Sequence, residues 1–522
     1  MHRIVACAAL ALVGAVVLPI GSVPAQAQVP SPTVELLPDD VGLHGHPMWD
    51  SWFDLSEFGY EQHEFLVSGT ATAADGATAD FTTRILVTHP SEPADFSGTV
   101  MLDWVNVTAQ FENAVNSIQS VRFLHREGWA HVHVSAQATG ICCVPGLTPQ
   151  TWDPVRYGVL NHPGDQFAND MFSQVAKAFK ETGEVNPLGE LTTEVLIAAG
   201  QSQGAIRLSD HVATTQAAGG LIDGYLIQAG GTKQYDHEPA AKVIHLLGDR
   251  EGTPDDPTPW PSYRLWELAG AAHADSWIGR QQTEGQSLRL AGLGQQSREQ
   301  AEALWQSAGN FGEQIDVREA VCIVNGALFP TRYAANAALW HLDNWVRNGV
   351  PAPSGPRYDF NGASLAKDEH SNTLGGVRLP PIVHPVATYF SDLCELGGIS
   401  VPFTDQQLVA LYGDHAGWYA QVVAASETSV DDGFLVPDDG VDLLRRACNA
   451  RNRFGSTSTE PCLPAPSFAA DVVFIPDLAV ERVPLPDATA PTPTTGAGQV
   501  VPGLVLASAV LIGRRVRAGS HA

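Results

Sequence analysis

The sequence predicts an α/β fold in which a mostly parallel, eight-stranded sheet is flanked by helices. From about Glu61 the chain alternates strand-like and helix-like segments. Segments such as 97–108 and 192–200 are continuously apolar, which is typical of strands buried on both faces. The composition, 44% apolar and 16% charged over 522 residues, is sufficient to bury a large core.

Eight segments are expected to form the strands of this sheet: 64–73, 81–90, 97–108, 129–137, 192–200, 222–231, 241–251 and 263–273. Helices are expected between the later strands, at 113–128, 169–183 and 205–220. An open parallel sheet of this kind binds its ligands at the carboxyl ends of the strands.

The remainder of the chain begins with a strong helical pattern at 333–349, which ends in the stop signals Gly349 and Pro351. Beyond "PAPSGP" we expect short strands and loops, then a helical stretch over 404–434, then a polar loop. We therefore divide the chain into a core at 28–355 and a C-terminal extension at 356–485 that packs on it.

The N-terminus has the order of a secretory signal. His2 and Arg3 precede an apolar stretch from Ile4 to Ile20, and Ala25-Gln26-Ala27 forms a cleavage site of small residues. We therefore expect residues 1–27 to be removed on export.

Export to an oxidising compartment favours disulfides among the cysteines that remain once Cys7 is removed, which are Cys142, Cys143, Cys322, Cys394, Cys448 and Cys462. Cys448 and Cys462 are expected to form a bridge most easily, because they are close together across a polar loop. The adjacent Cys142 and Cys143 are interpreted as members of two different bridges rather than as a catalytic thiol. Since no cysteine or histidine spacing predicts zinc, we expect neither a metal nor a cofactor.

Residues 486–522 run from a Pro/Thr-rich linker, through an apolar segment at about Val500 to Gly513, to the basic residues Arg514, Arg515 and Arg517. This order resembles a Gram-positive cell-wall sorting signal, with 492–496 in place of the sortase pentapeptide, although Thr492 departs from its first position. We expect retention at the cell surface, in the wall or the membrane. The alternative is a disordered tail whose apolar end packs elsewhere.

The net charge is −28, and no run rich in lysine or arginine occurs before residue 514. Such a charge repels phosphate backbones, so nucleic acid is excluded as a partner. It also keeps a secreted protein soluble.

Ser202 is the candidate nucleophile. Residues 200–204, "GQSQG", fit the G-x-S-x-G motif, with a strand before it and a helix after it, as the motif requires. The two glycines let strand and helix pass closely, which exposes the serine hydroxyl. The Gln203 N–H, at the start of the helix, is expected to stabilise an oxyanion. A second donor is expected after the third strand, from the backbone N–H of Asn106 or Val107, although Asn106 is equally well explained as a turn residue.

A serine hydroxyl needs a base, and the base needs an acid. The acid is expected where the seventh strand ends, so Asp249 and Glu251 are the candidates. We favour Glu251, because in hydrolases of this type the acid commonly follows a glycine by three positions, here Gly248. His273 is the expected base, since it lies after the eighth strand behind small residues. Three other histidines lie within predicted strands or helices and are interpreted as structural: His211, His245 and His341.

Blocks such as "FSGTVMLDWVNVT", "DPVRYGVLNHPGD", "AAGQSQGAIRL" and "RLWELAGAAHAD" together resemble the alpha/beta-hydrolase domain-containing family of bacterial secreted or surface proteins, over about residues 55 to 390. The resemblance implies an alpha/beta-hydrolase fold and a serine nucleophile, with Ser202, His273 and the acidic block at 248–251. Similar sequences more often have Glu-Thr-Asp where this chain has Asp-Arg-Glu. In the block at 153–165, we interpret Asp153 and Arg156 as an ion pair within a loop.

The expected function is therefore the cleavage of carboxylic esters, small or from the cell envelope, through an acyl-enzyme. Two alternatives are kept. The same residues could transfer acyl groups to cell-envelope acceptors, or the chain could be a non-catalytic surface binding protein on a hydrolase scaffold. The intact order of serine, acid and histidine counts against the second.

Overall fold

The computed structural model describes residues 29–181, 183–215, 220–230, 234–255, 260–308, 326–391, 393–394 and 396–476. The expected signal at 1–27, the C-terminal linker and apolar segment at 486–522, and Cys322 lie outside the described residues. Within the described ranges, no helix combines the length and the apolar character that crossing a membrane requires.

A nine-stranded sheet forms the centre of the fold, in the order β1-β2-β3-β5-β4-β6-β7-β8-β9. The strands are β1 (Thr33–Leu36), β2 (Tyr60–Thr72), β3 (Thr78–Pro90), β4 (Thr99–Trp104), β5 (Ala130–Val134), β6 (Val195–Gln201), β7 (Gly224–Gln228), β8 (Lys242–Leu247) and β9 (Tyr263–Glu267). The ladders that join β1, β2, β3 and β5 are antiparallel, and every ladder from β5 across to β9 is parallel.

All eight expected strands are confirmed, and β1 is added at the edge of the sheet. β1 is only four residues long and buries one side chain, Val34, so its apolar pattern is too short to identify. By contrast, every residue of β4 and β6 is buried, which explains their continuous apolar pattern.

Eight helices of eight or more residues occur in the described part of the chain: α1 (Val115–Arg126), α2 (Ala168–Lys180), α3 (Gln203–Thr215), α4 (Arg298–Ser307), α5 (Thr331–Asn348), α6 (Asp405–Tyr412), α7 (His415–Asp431) and α8 (Pro437–Asn449). Shorter α-helical turns are Ala138–Ile141, Pro149–Trp152, Pro154–Tyr157, Ser276–Arg280, Ser287–Leu290 and Pro380–Val383, and Gln281–Gln286 is a π-helix. Two hairpins pair β10 (Phe360–Asn361) with β11 (Ser364–Leu365) and β12 (Ala387–Phe390) with β13 (Ile399–Pro402).

The C-terminal extension differs from the expectation in two places. The helical stretch at 404–434 is two helices, because Gly413 takes a φ of 77° and ends α6. The predicted polar loop that follows contains α8, which starts at Pro437 with acidic residues in its first turn. The acidic side chains gave this segment its polar appearance, but the structure pairs several of them with arginines of the core.

Ion pairs form part of the contact between α8 and the core. Asp442 lies 3.1 Å from Arg122 and 3.3 Å from Arg332, and Asp439 lies 3.0 Å from Arg126. Burial alone would raise the pKa of Asp442, but the surrounding arginines hold it well below its usual value. The largest hydrophobic cluster also joins the sheet to α7 and α8, so the extension and the sheet share one core.

The disulfides agree with the expectation only in part. Cys448 and Cys462 form a bridge, as expected. Cys142 and Cys143, however, are bonded to each other rather than to two different partners, which corrects that prediction. The backbone at Cys143 has a φ of 89°, and this left-handed conformation accompanies the bridge between adjacent residues. Cys394 is also disulfide-bonded.

A buried cluster of charges around Glu64, on β2, replaces the predicted ion pair between Asp153 and Arg156. The Glu64 carboxylate accepts a hydrogen bond of 2.7 Å from Arg156 and one of 2.6 Å from Arg84. Asp153 instead accepts from the backbone N–H groups that begin the turn Pro154–Tyr157. Arg156 also donates to the carbonyls of residues 37, 38 and 41. The loop before α2 is therefore tied to the N-terminal segment and to the sheet.

Replacing Glu64 tests the importance of this cluster. We expect Glu64→Gln to lower the free energy of unfolding by about 3–5 kcal/mol, because it removes the charge that two buried guanidinium groups share. Denaturant unfolding at neutral pH measures the change, with Glu35→Gln on exposed β1 as the control. Equal midpoints for the two variants would contradict the expectation.

Candidate active site

Ser202 occupies a strained turn between β6 and α3. Its φ of 57° lies in the left-handed region, which residues other than glycine seldom adopt. Its N–H donates to the carbonyl of Gln228 at 2.8 Å, and its carbonyl accepts from the Ile206 N–H at 3.0 Å. These bonds to β7 and to α3 hold the conformation from both sides, and the side chain remains partly exposed.

The close approach at this turn requires glycine. A Cβ on Gly200 would lie 2.9 Å from the backbone of Gly204, and one on Gly204 would lie 2.7 Å from the Trp104 carbonyl oxygen. A Cβ on Gly230, which follows β7, would lie 2.4 Å from the Ala205 side chain. The two motif glycines thus have the steric role that the sequence predicted, and Gly230 is a third such position, outside the motif.

His273 and Glu251 form a hydrogen-bonded pair. The Nδ1 atom of His273 lies 2.6 Å from Oε1 of Glu251, and both side chains are about nine-tenths buried. The other oxygen of Glu251 accepts from the Gly248 N–H at 3.1 Å. The carboxylate directs the proton of a neutral imidazole to Nδ1, so the Nε2 lone pair is left to accept a proton. Of the two candidate acids, the structure brings Glu251 to the histidine.

Asp249 has a different set of partners. Its carboxylate accepts from the Gly270 N–H at 3.0 Å and from the hydroxyls of Thr373 at 2.6 Å and Ser391 at 2.7 Å. Burial raises its pKa. Asp249 therefore braces the loop that carries His273 against the C-terminal extension. Sequence reasoning missed Thr373 and Ser391, because they lie 124 and 142 residues from Asp249 and have no motif.

Gln201 links the Ser202 turn, here called the elbow, to the loop that carries His273 and to the loop after β4. Its side-chain amide donates to the His273 carbonyl at 2.8 Å, and its own carbonyl accepts from the Asn106 side chain at 3.0 Å. The motif leaves this position unspecified, so the role of Gln201 could not be predicted from the sequence. The bonds bring the histidine loop and the loop after β4 to the nucleophile.

The backbone N–H of Asn106 is not available as an oxyanion donor, because it donates to the Asn113 carbonyl at 2.8 Å. Of the two predicted oxyanion donors, this geometry rules out the Asn106 N–H and leaves the Val107 N–H. Among the described residues, the N–H groups of Val107 and Gln203 have no acceptor. Gln203 follows the nucleophile directly, and Asn106 ties the Val107 loop to the elbow.

A polar network fixes the first turns of α3. The Gln203 side chain donates to Gln137 at 2.8 Å, Gln137 donates to Asp165 at 3.0 Å, and Arg207 donates to the same carboxylate at 2.9 Å. Gln137 and Asp165 follow β5, so this strand's loop also contributes to the site. Sequence reasoning did not identify any member of this network except Gln203.

The other three histidines that were interpreted as structural are held by hydrogen bonds inside the fold. They pair as His211 with Ser173 and Tyr225, His245 with Tyr263, and His341 with the Gly433 carbonyl. Burial lowers the pKa of His211 to about 3, which keeps its ring neutral.

An open sheet with a serine elbow, a histidine and a carboxylate at the carboxyl ends of its strands defines the alpha/beta-hydrolase class. A family model described as "Alpha/beta hydrolase domain" matches residues 29–445. The chain therefore belongs to this family. The match extends well past residue 355, into the region treated as a C-terminal extension.

Solved structures give weaker similarities. A ferulic acid esterase from Streptomyces cinnamoneus is 13% identical, with 57% of this chain and 92% of that chain covered and a TM-score of 0.33. A lidless a/b serine hydrolase from Xanthomonas campestris is 16% identical, covering 44% and 93%, with a TM-score of 0.24. A prolyl endopeptidase is 10% identical with a TM-score of 0.24, covering 40% of this chain and only 35% of that longer chain. No curated protein matches the sequence.

The contact at Gly204 gives a testable consequence. We expect Gly204→Ala to lower the free energy of unfolding by about 1–3 kcal/mol, because the added methyl group meets a backbone oxygen rather than a flexible side chain. Thermal unfolding measures the loss. Gly294→Ala is the matched control, since nothing lies within 4 Å of its Cβ position. A Gly204→Ala protein as stable as this control would show that the turn can relax.

Proposed function

We propose that the protein is a serine hydrolase that cleaves carboxylic esters through an acyl-enzyme, and that it is secreted and retained at the cell surface. The observation that carries the proposal is the 2.6 Å contact between His273 and Glu251, in a loop that Gln201 ties directly to the Ser202 elbow. A nucleophile, a base and an orienting acid are the set that acyl transfer requires.

In the proposed mechanism, the Ser202 hydroxyl oxygen attacks the ester carbonyl carbon while Nε2 of His273 accepts the hydroxyl proton. Glu251 holds the imidazole and stabilises its positive charge. The N–H groups of Gln203 and Val107 bind the developing oxyanion. When the tetrahedral intermediate collapses, the bond to the alcohol breaks and His273 returns the proton to the leaving oxygen. A water molecule then attacks the acyl-enzyme carbonyl while His273 accepts its proton. The bond to the Ser202 oxygen breaks, His273 returns the proton to that oxygen, and the carboxylic acid is released.

Two further parts of the proposal rest on chemistry and on the sequence. Esters are favoured over amides, because an alkoxide leaves with less help from the general acid than an amine does. Secretion is supported by the signal-like order of residues 1–27 and by the bridge between Cys448 and Cys462, which suits an oxidising compartment. Surface retention rests on the sorting-signal pattern at 486–522.

Ser202→Ala tests the nucleophile. We expect wild type to react with a fluorophosphonate probe and to hydrolyse p-nitrophenyl acyl esters, and the variant to lose the labelling and at least about 10³-fold in kcat, because no oxygen remains to form the acyl-enzyme. Ser458→Ala, on an exposed loop, is the control and should behave as wild type. Absence of wild-type labelling, or equal labelling of Ser202→Ala, would refute the proposal.

Substitution of Glu251 should mainly affect catalysis, whereas substitution of Asp249 should mainly affect stability. We expect Glu251→Gln to lower kcat by about 10²–10⁴ with little change in melting temperature, because it disturbs the imidazole rather than the packing. Asp249→Ala should instead cost stability, at about 1–3 kcal/mol for each buried donor left unpaired. Steady-state kinetics and thermal unfolding of both variants provide the comparison. A large loss of kcat in a stable Asp249→Ala protein, with Glu251→Gln fully active, would reverse the assignment.

A further inference from the structure

Three side chains with metal-ligating atoms meet at a corner of the sheet away from Ser202. β2 begins at Tyr60 and β3 ends at Pro90, and the antiparallel register places Glu61 opposite His89 and His63 opposite Val87. Side chains two residues apart on a strand point to the same face. Glu61, His63 and His89 therefore share one face of the β2–β3 ladder.

The ligand atoms of this cluster converge without bonding to one another. One carboxylate oxygen of Glu61 lies 3.7 Å from Nε2 of His89, and the other lies 3.7 Å from Nε2 of His63. One ligand atom from each of the three residues can be chosen so that all lie within 4.8 Å of one another. Tetrahedral Zn²⁺, with bonds of about 2.0–2.1 Å, places its ligand atoms about 3.4 Å apart. Small side-chain rotations would therefore bring the three atoms to that spacing.

The ring of His89 is already oriented for coordination. Its Nδ1 lies 2.9 Å from the Pro90 carbonyl oxygen, which can only accept, so Nδ1 carries the proton of the neutral ring. The lone pair is then on Nε2, the atom that faces Glu61. A backbone carbonyl that fixes the far nitrogen is the arrangement seen behind metal-ligating histidines.

The cluster is anchored on one side and open on the other. The side chain of His89 is 7% exposed, whereas those of Glu61 and His63 are 46% and 42% exposed. A cation can therefore reach the site from solvent and keep a water as its fourth ligand. The net charge of −28 favours the approach of cations to this protein in general.

The corner is remote from the nucleophile. β3 pairs with β5 only from Ile85 to Thr88, and Thr88 faces His131 near the amino end of β5. β5, β4 and β6 are parallel, and Ser202 follows the carboxyl end of β6. A cation bound at His89 would therefore lie at the opposite end of the strands from the hydrolytic chemistry, where it joins β2 to β3.

We propose that Glu61, His63 and His89 bind one Zn²⁺ ion, with water as the fourth ligand. Two imidazoles and one carboxylate suit zinc better than Mg²⁺ or Ca²⁺, which prefer sites made of oxygen ligands. Sequence analysis predicted no metal here, because the two histidines lie on separate strands and the site contains no cysteine. The inference is independent of the proposed hydrolase activity.

Calorimetric titration of the EDTA-treated full chain, without a histidine tag, with ZnCl₂ tests the proposal. We expect one saturable site of micromolar or tighter dissociation constant, and a melting temperature that is higher in Zn²⁺ than in EDTA. His63→Gln and Glu61→Gln should each weaken binding at least about tenfold, since each removes one of three ligands. His237→Gln, on an exposed loop, is the control and should bind as wild type.

Because the side chains of Glu61 and His63 are partly exposed, their variants should have the melting temperature of wild type in EDTA, which separates lost binding from lost folding. Wild type without a saturable Zn²⁺ site would overturn the proposal. Binding that survives unchanged in both His63→Gln and Glu61→Gln would also overturn it, since the ion would then lie elsewhere.

Discussion

The close approach of β6, α3 and β7 at the Ser202 turn is the constraint on which the rest of the site depends. Ser202 keeps a left-handed backbone because Gln228 and Ile206 bind it from two directions. Cβ atoms at Gly200 and Gly204 would prevent that approach. Strain of this kind, of order 1–3 kcal/mol, persists only where the surroundings over-determine it. The sheet and α3 thus set the position of Ser202, and His273 and Glu251 must be brought to it by their own loops.

Buried polar groups bring those partners into place. Gln201 binds the His273 carbonyl, and Glu251 binds the histidine ring. Asp249 binds the Gly270 N–H, which lies in the same loop. Near the carboxyl end of β5, Glu64 holds the loop before α2 in the same way. Each of these groups satisfies partners from different chain segments, so the loops are fixed by hydrogen bonds and charges rather than by apolar packing alone.

The sequence predicted the features that depend on local pattern. Eight strands followed from apolar runs, and Glu251 with His273 from chain order and a glycine spacing. Features that depend on distant partners could not be predicted. α8 was predicted as a polar loop, because the arginines of α1 and α5 that pair with its acidic residues lie far away in the chain. Asn106 is a different case: it was predicted either as an oxyanion donor or as a turn residue, and no motif marks its bond to the nearby Asn113 carbonyl. Arg156 looked like a partner for Asp153, since the buried Glu64 lies 92 residues away.

The contacts of Asp249 with Thr373 and Ser391 have a consequence for modularity. The loop that carries His273 and the segment around β12 cannot be exchanged independently, although they are far apart in the chain. In a relative with a different length of chain between them, the position of the histidine ring would change as well. Divergence of catalytic behaviour among relatives can therefore begin in a segment that carries neither the serine, the histidine nor the acid.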